Sequence, residues 1–491
     1  MTSNRRRFIQ GVGAAVTAGL AGCSSNGGSD GGSGDGGSDG GSGDGGSDGG
    51  SGDGSSGETT GSAGNETLEF HFVASTPATT TQEALTGAVE AWGEQLDGYD
   101  VEPTMEFVGV TAASPTLNQY LGTGNPPHLV MGNAELAQFY KSVEDTTQFL
   151  EENFNLPSRA YGGPVGGKST VIPDHFVVQA RWYRKDLYEQ AGIEPAETWS
   201  QQVSNAEALA DTIPDGMEPE LIQANPSNTT TYLQNHQWFH TLGVDYIERT
   251  GDAMDAVRVS LSDDEQRSQC IDILNHLNTM YQHSPESVNY GFIDMISTYL
   301  EDQVAVTNYP GRILDNATDQ APDKLDVTGV AKFPMPEGFD GTYMAGHNPQ
   351  MLTVPQTEHS DLAFDFLEFY FGSDYYFDRM LGAGPNSTPV TQELLNDDRL
   401  QSHETWDNPA GQEYTELLNE YWDNDNYYIA QYGRTEPASV YWSTLINGSN
   451  LIGPEMHANA STGRTSSEEA VDRAIERLNN DLPGVAAEYV E

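Results

Sequence analysis

Basic residues are scarce in this chain of 491 residues. Lys and Arg together number 21 against 74 Asp and Glu, which gives a formal net charge of −53. Because the acidic excess runs along the whole chain, nucleic acid is excluded as a partner. Such spread acidity is typical of proteins that stay soluble in molar salt, where charge repulsion is screened over a few Å. The alternative is an acidic surface that attracts cations or a basic partner.

Cysteine and long apolar runs are also nearly missing. The two cysteines are Cys23, close to the N-terminus, and Cys270, in a stretch with helical spacing. We therefore expect no disulfide in the globular region and a buried, inert thiol at Cys270. The apolar run from Phe8 to Leu20 is short of the roughly 20 residues that cross a bilayer. It is also rich in Gly and Ala, which favours an export signal over a membrane span.

The N-terminal residues predict where the protein is found. Asn4-Arg5-Arg6-Arg7-Phe8-Ile9-Gln10 resembles a twin-arginine export signal, although Asn4 and Gln10 depart from its common residues. Leu20-Ala21-Gly22-Cys23 resembles a lipobox, which makes Cys23 the expected lipidation site. Residues 1–22 are thus predicted to be a signal peptide, and the protein to be anchored by lipid at the extracellular face of the cell membrane. The alternative is a plain signal peptide with an incidental cysteine.

A low-complexity segment follows. From Gly27 to Asp53 the sequence is GGSDGGSGD three times over, and the polar composition continues to Asn65. No residue here can bury apolar area, so nothing offsets the entropy of ordering the chain. Residues 23–66 are predicted to be a disordered tether, with a typical reach of about 35 Å.

The region after residue 66, about 425 residues, is too long for one core and predicts two lobes. Leu68 to Val73 and Val101 to Val108 have strand patterns, and Pro126 to Met131 forms a third. Between them lie a helix opened by the capping box Thr80-x-x-Glu83 and one around Leu117–Leu121. This order predicts an α/β fold with a parallel sheet and helices on both faces. Near the C-terminus, Ser466-x-x-Glu469 opens an amphipathic helix through Leu478.

Catalytic signatures are missing from the sequence. It has no G-x-S-x-G, HExxH or P-loop motif. His236 and His240 are spaced i, i+4, but they stand among aromatic residues, which favours packing over a metal site. The pairs Tyr375-Tyr376 and Tyr427-Tyr428 leave ferric ion chelation open as a minor alternative. We therefore expect no catalytic residues and no cofactor.

Several motifs together resemble family 1 extracellular solute-binding proteins, the receptors of ABC importers for sugars and related solutes. The most specific is the segment Trp182 to Ile193, which reads WYRKDLYEQAGI. It is preceded by Gly166-Gly167-Lys168 and Ile172-Pro173 and followed by Glu197-Thr198-Trp199. Thr116 to Leu129, Glu301 to Asn308, Asp361 to Tyr370 and Ser467 to Leu478 match further segments in the family's order. Arg184 stands where the family commonly has Asn, and the segment from Glu301 to Asn308 lacks the Gly and Met that are common in the family. The signal, the acidity and this match together predict a lipoprotein of a halophilic archaeon.

The resemblance implies a two-lobe fold of the periplasmic-binding-protein type (type II), with a hinge and a cleft between the lobes. Lobe 1 is predicted to comprise residues 67–178 and 345–390, and lobe 2 residues 179–344 and 391–491. The chain would cross near Val177–Ala180, return near Thr342–Gly346 and cross again near Pro389. The implied function is capture of a small solute, a mono- or oligosaccharide, and its delivery to the permease subunits in the membrane. A monomer without enzymatic activity is implied.

Candidate ligand-binding residues follow from the loops that the family directs into its cleft. They are Ser75, Thr76, Asn133, Glu135, Tyr232, Asn235, Trp238, Tyr309, Arg312, His347, Asn348, Tyr441 and Trp442. Arg312 stands where many sugar binders carry Trp, which favours an anionic or strongly polar solute. Trp182 and Trp199 are expected in the core. Two alternatives stay open: a tethered enzyme acting on polysaccharide, and the same fold holding ferric ion or an organophosphate.

Overall fold

The structure is a computed structural model of the chain. It describes residues 65–76, 78–109, 112–154, 169–229, 231, 234–251, 253–423, 427–430, 441–446 and 450–488. The predicted signal peptide, Cys23, nearly all of the predicted tether and Tyr232 lie outside this part. Residues Thr67–Glu491 form one compact unit.

A mixed sheet is the centre of this unit. Its described strands are β1 (Glu66–Ser75), β2 (Tyr99–Val108), β3 (Leu129–Gly132), β4 (Ile172–Arg184), β5 (Glu218–Leu221), β8 (Val304–Pro310), β9 (Thr328–Ala331), β10 (Tyr343–Thr353) and β11 (Tyr427–Ala430). The order is β2-β1-β3-β10-β4-β8-β5, with β9 beside β4 and β11 beside β10. Strands β6 (Ile247–Arg249) and β7 (Val257–Val259) form a separate antiparallel pair.

Helices connect and cover these strands. In chain order they are α1 (Thr79–Gly93), α2 (Ala113–Thr123), α3 (Thr147–Asn153), α4 (Lys185–Ala191), α5 (Trp199–Ala210), α6 (His236–Thr241), α7 (Asp264–Tyr281), α8 (Phe292–Leu300), α9 (Arg312–Gln320), α10 (Ser360–Gly372), α11 (Asp374–Ala383), α12 (Gln392–Leu395), α13 (Asp398–Gln401), α14 (Pro409–Asp423), α15 (Ile452–Ser461) and α16 (Ser467–Ala487). Short 3₁₀ helices cover Ala134–Phe139, Pro322–Lys324 and Gly384–Asn386, and Trp442–Ile446 is a π-helical turn. Among the described residues, no helix combines the length and apolarity needed to cross a bilayer.

Strand direction corrects the prediction of a parallel sheet. The pairs β1–β3 and β5–β8 are parallel, as expected from their helical connections. Strand β4, however, runs antiparallel to β8, β9 and β10, and β10 runs antiparallel to β3. These antiparallel pairs arise because β4 and β10 carry the chain in opposite directions between the two halves of the sheet.

The long strand β4 belongs to both halves. Its residues 172–178 pair with β10, whereas residues 179–184 pair with β8 and β9. Eleven of its thirteen residues are buried, from Ile172 to Trp182. A strand buried along this length is covered on both faces, although Asp174, His175, Gln179 and Arg181 make it less apolar than such strands usually are. Trp182 is fully buried, as predicted, and its indole N–H donates to the Tyr309 carbonyl at 2.6 Å.

Two predicted helix starts had different outcomes. Ser466 caps α16 by accepting a hydrogen bond from the Glu469 N–H at 3.1 Å, as the capping-box pattern predicts. The box at Thr80 is wrong, since α1 has Ala78 at its N-cap and contains Thr80 within its first turn. Cys270 is fully buried in α7, and burial raises the pKa of its thiol, in agreement with an inert role.

Candidate functional site

The carboxyl ends of parallel strands from the two halves of the sheet face each other. On one side β1 ends at Ser75 and β3 ends at Gly132. Gly132 pairs with Met351 of β10, and Met351 pairs on its other side with Pro173 of β4. On the other side β8 ends at Pro310, in register with Gln179 of β4. Polar solutes commonly bind at such carboxyl ends in α/β proteins.

Strand β4 spans the gap between these ends. Pro173 and Gln179 are six residues apart in the sequence, which corresponds to about 20 Å of extended chain. A third segment also lies here: Phe176 and Thr388 exchange two backbone hydrogen bonds of 2.9 and 2.8 Å. The Tyr414 hydroxyl of α14 donates to the Val178 carbonyl at 2.9 Å. The junction between the halves is thus built from β4, β10 and the segment at Thr388.

Four buried amide side chains lie at the β8 side of the junction, and we call them the amide cluster: Gln179, Gln223, Asn235 and Gln237. Each is at most 3% exposed. Gln237 Nε2 donates to the Met344 and Ala345 carbonyls of β10 at 3.1 and 2.9 Å. It also approaches the Gln179 carbonyl at 3.4 Å. Gln237 therefore attaches α6 to both strands that cross the junction.

Gln223 and Asn235 are positioned by the carboxyl end of β5. Gln223 follows this strand, and its backbone N–H donates to Gln234 Oε1 at 2.8 Å. Gln234 in turn donates to the Leu221 carbonyl at 3.1 Å. Asn235 is the N-cap residue of α6, and its Nδ2 donates to the Thr231 carbonyl at 3.3 Å. Gln234, directly before the N-cap of α6, is thereby attached to the end of β5.

The side-chain oxygens are the unsatisfied polar atoms of the amide cluster. Gln179 Oε1, Gln223 Oε1, Asn235 Oδ1 and Gln237 Oε1 are buried and accept no hydrogen bond from the part of the chain that the structure describes. A buried acceptor without a donor costs about 1–3 kcal/mol. All four belong to residues near the carboxyl ends of β5 and β8, and unsatisfied acceptors of this kind suit a neutral ligand that carries several hydroxyl donors.

Charged groups near the junction are paired inside the protein. Arg379 is fully buried and contacts Asp174 Oδ2 at 2.5 Å and Gln350 Oε1 at 2.6 Å. Although burial opposes ionisation of Asp174, Arg379 together with hydrogen bonds from His175 and Tyr370 lowers the pKa of its carboxyl below the ordinary value. Gln350 Nε2 also donates to the Ser75 carbonyl at 2.7 Å, which joins this pair to the end of β1.

A second buried ion pair lies on β4 and β5, the strands that carry Gln179 and precede Gln223. Arg181 makes a bidentate pair with Glu220 of β5, at 2.6 and 3.0 Å. Gln202 Nε2 donates to Glu220 Oε1 at 2.7 Å, and its Oε1 lies 2.9 Å from His276 Nε2. Burial lowers the pKa of His276 to about 3, so this ring is neutral at ordinary pH. The described residues contain no group of His, Cys, Asp and Glu able to hold a metal ion.

The predicted residues on the β1 side lie at the strand ends, where they were expected. Ser75 and Thr76 are buried, and Ser75 Oγ donates to the Gly109 carbonyl at 3.2 Å. Thr76 Oγ1 accepts from the Ala78 N–H at 3.4 Å. Asn133 is the N-cap residue of the 3₁₀ helix Ala134–Phe139, and Glu135 in its first turn is half-buried.

On the β8 side, Asn235 belongs to the amide cluster, but Trp238 and Tyr441, two aromatic residues predicted to bind ligand, are core residues. Trp238 has no exposed surface, and its indole N–H donates to the Pro334 carbonyl at 2.6 Å. Tyr441 is also fully buried, and its hydroxyl donates to the Met254 carbonyl at 2.8 Å. Each large ring has apolar neighbours and a hydrogen-bonded polar atom, which is the usual arrangement of buried Trp and Tyr.

Tyr309 and Arg312 lie at the end of β8 and the start of α9. Tyr309 is 3% exposed, and burial raises the pKa of its hydroxyl. Arg312 is half-buried next to Gly311, where an added Cβ would come within 2.2 Å of the Pro385 carbonyl oxygen. His347 and Asn348 belong to β10, but their side chains, like that of Trp442, lie outside the described part, as does the whole of Tyr232.

Three members of the amide cluster were missed by sequence reasoning: Gln179, Gln223 and Gln237. Gln179 occurs in the otherwise largely apolar run Phe176-Val177-Val178-Gln179-Ala180. Gln237 lies between His236 and Trp238, in a stretch whose aromatic residues favour packing. An uncharged amide in a run predicted to be buried is the one signal that the sequence offered for these residues, because such a group needs partners.

Comparison with known proteins accounts for this architecture. The family model described as bacterial extracellular solute-binding protein matches residues 78–376. The chain belongs to this family. A search of curated proteins found no match. The match confirms the family that the motifs predicted. Proteins of this family are extracellular or periplasmic.

Solved structures share the fold over nearly their whole length. The sugar-binding protein MalE from Xanthomonas citri has a TM-score of 0.65 at 14% identity and covers 86% of this chain and 99% of its own. A cyclic alpha-maltosyl-1,6-maltose binding protein from Arthrobacter globiformis has a TM-score of 0.61 at 13% identity, with 85% and 99% covered. T. maritima MalE3 has a TM-score of 0.59 at 18% identity, with 84% and 99% covered. The two-lobe α/β fold is therefore confirmed.

Proposed function

We propose that this solute-binding protein is the tethered receptor of an ABC importer and that it captures a small carbohydrate between its lobes. The observation that carries the proposal is the amide cluster at the facing carboxyl ends of the strands. Its four buried acceptors call for a ligand rich in hydroxyl donors, and the buried charges around it are paired internally. A neutral sugar supplies such donors without bringing a charge that would need desolvation.

Proteins with the same fold support the carbohydrate class. T. maritima MalE3 was solved with maltose, a protein from Thermotoga lettingae with alpha-D-tagatose, and one from Listeria monocytogenes with cycloalternan. These ligands range from a monosaccharide to a cyclic oligosaccharide. We extend the class, but no individual sugar, to this chain.

Capture in this proposal works by hinge closure. Lobe 1 would comprise residues 67–178 and 345–390, lobe 2 residues 179–344 and 391–491, and β4, β10 and the segment at Thr388 would bend between them. Closure is favoured only if the solute contacts both lobes, because the shift is set by the difference in its affinity for the closed and open states. Besides Asn235, the predicted residues Ser75, Thr76, Asn133, Glu135, Tyr309 and Arg312 lie at the strand ends from which such contacts would come.

The N-terminus completes the proposal. Lipid on Cys23 and a tether over residues 23–66 would hold a monomeric receptor at the extracellular face of the membrane, within reach of the permease. A single acyl chain binds a membrane only marginally, so a second chain or the permease itself would contribute to retention. The acidic composition fits a salt-rich setting, and a twin-arginine route would export the lobes already folded.

Thermal unfolding in high salt tests the proposal. A bound solute raises the free energy of unfolding by RT ln(1 + [L]/Kd), about 2.7 kcal/mol at one hundred times Kd. We expect mono- and oligosaccharides to raise the Tm of the wild type, and Gln237→Leu to respond less. A response to ferric ion or glycerol phosphate alone would replace the sugar by one of those ligands. Cleavage of a polysaccharide without any Tm shift would overturn the receptor function itself.

A further inference from the structure

Phe292 and Ile293 stand out on a strongly acidic protein. They are 40% and 54% exposed, and they are the large hydrophobic residues found exposed among those that the structure describes. Both lie in the first turn of α8, whose later residues Met295, Ile296 and Tyr299 are buried. The exposed pair is therefore not required by the packing of the helix.

The position of this turn is fixed by hydrogen bonds to the end of β5. Ser287 Oγ donates to the Ile222 carbonyl at 2.6 Å. Gln223 and Asn225 both donate from their side-chain amides to the Tyr290 carbonyl, at 2.6 and 3.0 Å. The loop before α8 thus lies on the same sheet edge as the amide cluster. Phe292 follows Tyr290 by two residues, at most about 7 Å along the chain.

A hydrogen bond and local packing hold the exposed start of α8. The Gly291 N–H donates to Asp294 Oδ2 at 2.7 Å, which closes the first turn. A Cβ atom at Gly291 would lie 3.4 Å from Asn228 Nδ2, so the turn packs against the loop after β5. A ring held by such a backbone loses little conformational entropy when it binds a ligand.

We propose that Phe292 is a specificity-determining residue that stacks on a sugar ring beyond the one held by the amide cluster. The inference rests on the proposed function and deepens it, because it assigns the protein to oligosaccharides of two or more units. The apolar face of a pyranose ring matches an exposed aromatic face, while its hydroxyls stay in water at the mouth of the site. Continuity with the amide cluster through Gln223 and Tyr290 is the reason for choosing this occupant.

Calorimetric titration of the full-length protein with glucose, maltose, maltotriose and maltotetraose tests the inference. Phe292→Ala is expected to weaken binding of the longer sugars about three- to tenfold and to change the affinity for glucose by less than about twofold. Phe292→Trp is expected to keep the affinity for the longer sugars. Ile293→Ala, a matched loss of exposed apolar surface in the same turn, is expected to change no affinity by more than twofold. The Tm of each variant shows that it is folded.

The outcomes separate the two proposals. If the wild type binds the sugars and Phe292→Ala changes all affinities equally, or none, the assignment of Phe292 is overturned and the receptor function stands. An equal effect of Ile293→Ala on the longer sugars would also overturn it, because apolar area and not the ring would then be responsible. If no sugar of this series binds the wild type and no mono- or oligosaccharide raises its Tm in the thermal screen, the carbohydrate function fails and the inference fails with it.

Discussion

Gly346 of β10 lies against the backbone of Val177 so closely that no larger residue fits. A Cβ atom at position 346 would come within 2.4 Å of the Val177 carbonyl oxygen and 3.0 Å of the Val178 Cα. Gly346 is in register with Val178, at the point where β4 and β10 cross between the halves of the sheet. The pairing is irregular here, with register shifts between His347 and Gln350 and between Gln350 and Met351. Glycine is thus required by the close approach of two strands, and not by its φ angle.

Gly346→Ala is expected to destabilise the protein by about 1–3 kcal/mol, since the strands must separate to admit a methyl group. Chemical denaturation measures the change. Gly372→Ala, at the end of α10, is the matched control, because a Cβ atom added there would meet nothing within 4 Å. Alanine there is expected to be neutral or to add up to about 1 kcal/mol. Equal stability of the two variants would contradict the close approach at the junction.

Gln179→Met is expected to weaken binding of the sugar found by thermal screening about tenfold or more while leaving stability unchanged or higher. Gln179 Oε1 is buried and accepts no hydrogen bond from the described residues, so its removal deletes a polar atom that costs free energy in the unliganded protein. The same oxygen is proposed to accept a hydrogen bond from the solute. Titration and denaturation measured on one preparation give both quantities.

Gln202→Met is the control for that variant. Gln202 is as deeply buried, but both ends of its amide are used, by Glu220 and His276. We expect the free energy of unfolding to fall by about 1–3 kcal/mol and the affinity for solute to stay within twofold. Loss of affinity in Gln202→Met without loss in Gln179→Met would place the site elsewhere.

His276 makes stability depend on pH. Its pKa is lowered from the ordinary 6.5 to about 3, chiefly by burial. Below pH 6.5 the unfolded chain binds a proton that the folded chain does not, so stability falls as pH drops toward 3. His276→Gln is expected to flatten this fall by up to about 1.4 kcal/mol per pH unit between pH 6 and 4. An unchanged slope in denaturation series across that range would show that the ring is protonated in the folded protein.

Local pattern was sufficient for several elements. The strands at Leu68 and Val101, the helix at Leu117 and the cap at Ser466 follow from hydrophobic period and capping residues alone. The same patterns misplace the cap at Thr80, because Ala78 begins α1 without a side-chain cap. The family resemblance also gave Trp238 and Tyr441 as candidate ligand-binding residues, although both rings are buried. An aromatic residue has the same local pattern in a core and in a cleft, and only its neighbours distinguish the two.

The amino-acid sequence alone was enough to predict the family, the α/β class and the burial of Cys270 and Trp182, and it fixes the acidic composition. These follow from composition, from local periodicity and from motifs that are contiguous in the chain. The tertiary structure decided that β4 and β10 run antiparallel through the junction and that Gln179, Gln223, Asn235 and Gln237 share one edge of the sheet. Contacts such as that between Gln237 and Ala345, 108 positions apart in the chain, assemble this edge. No local pattern predicts such contacts. An amide oxygen loses its water donors only when the halves of the sheet have packed, so its unsatisfied state cannot be seen in the sequence.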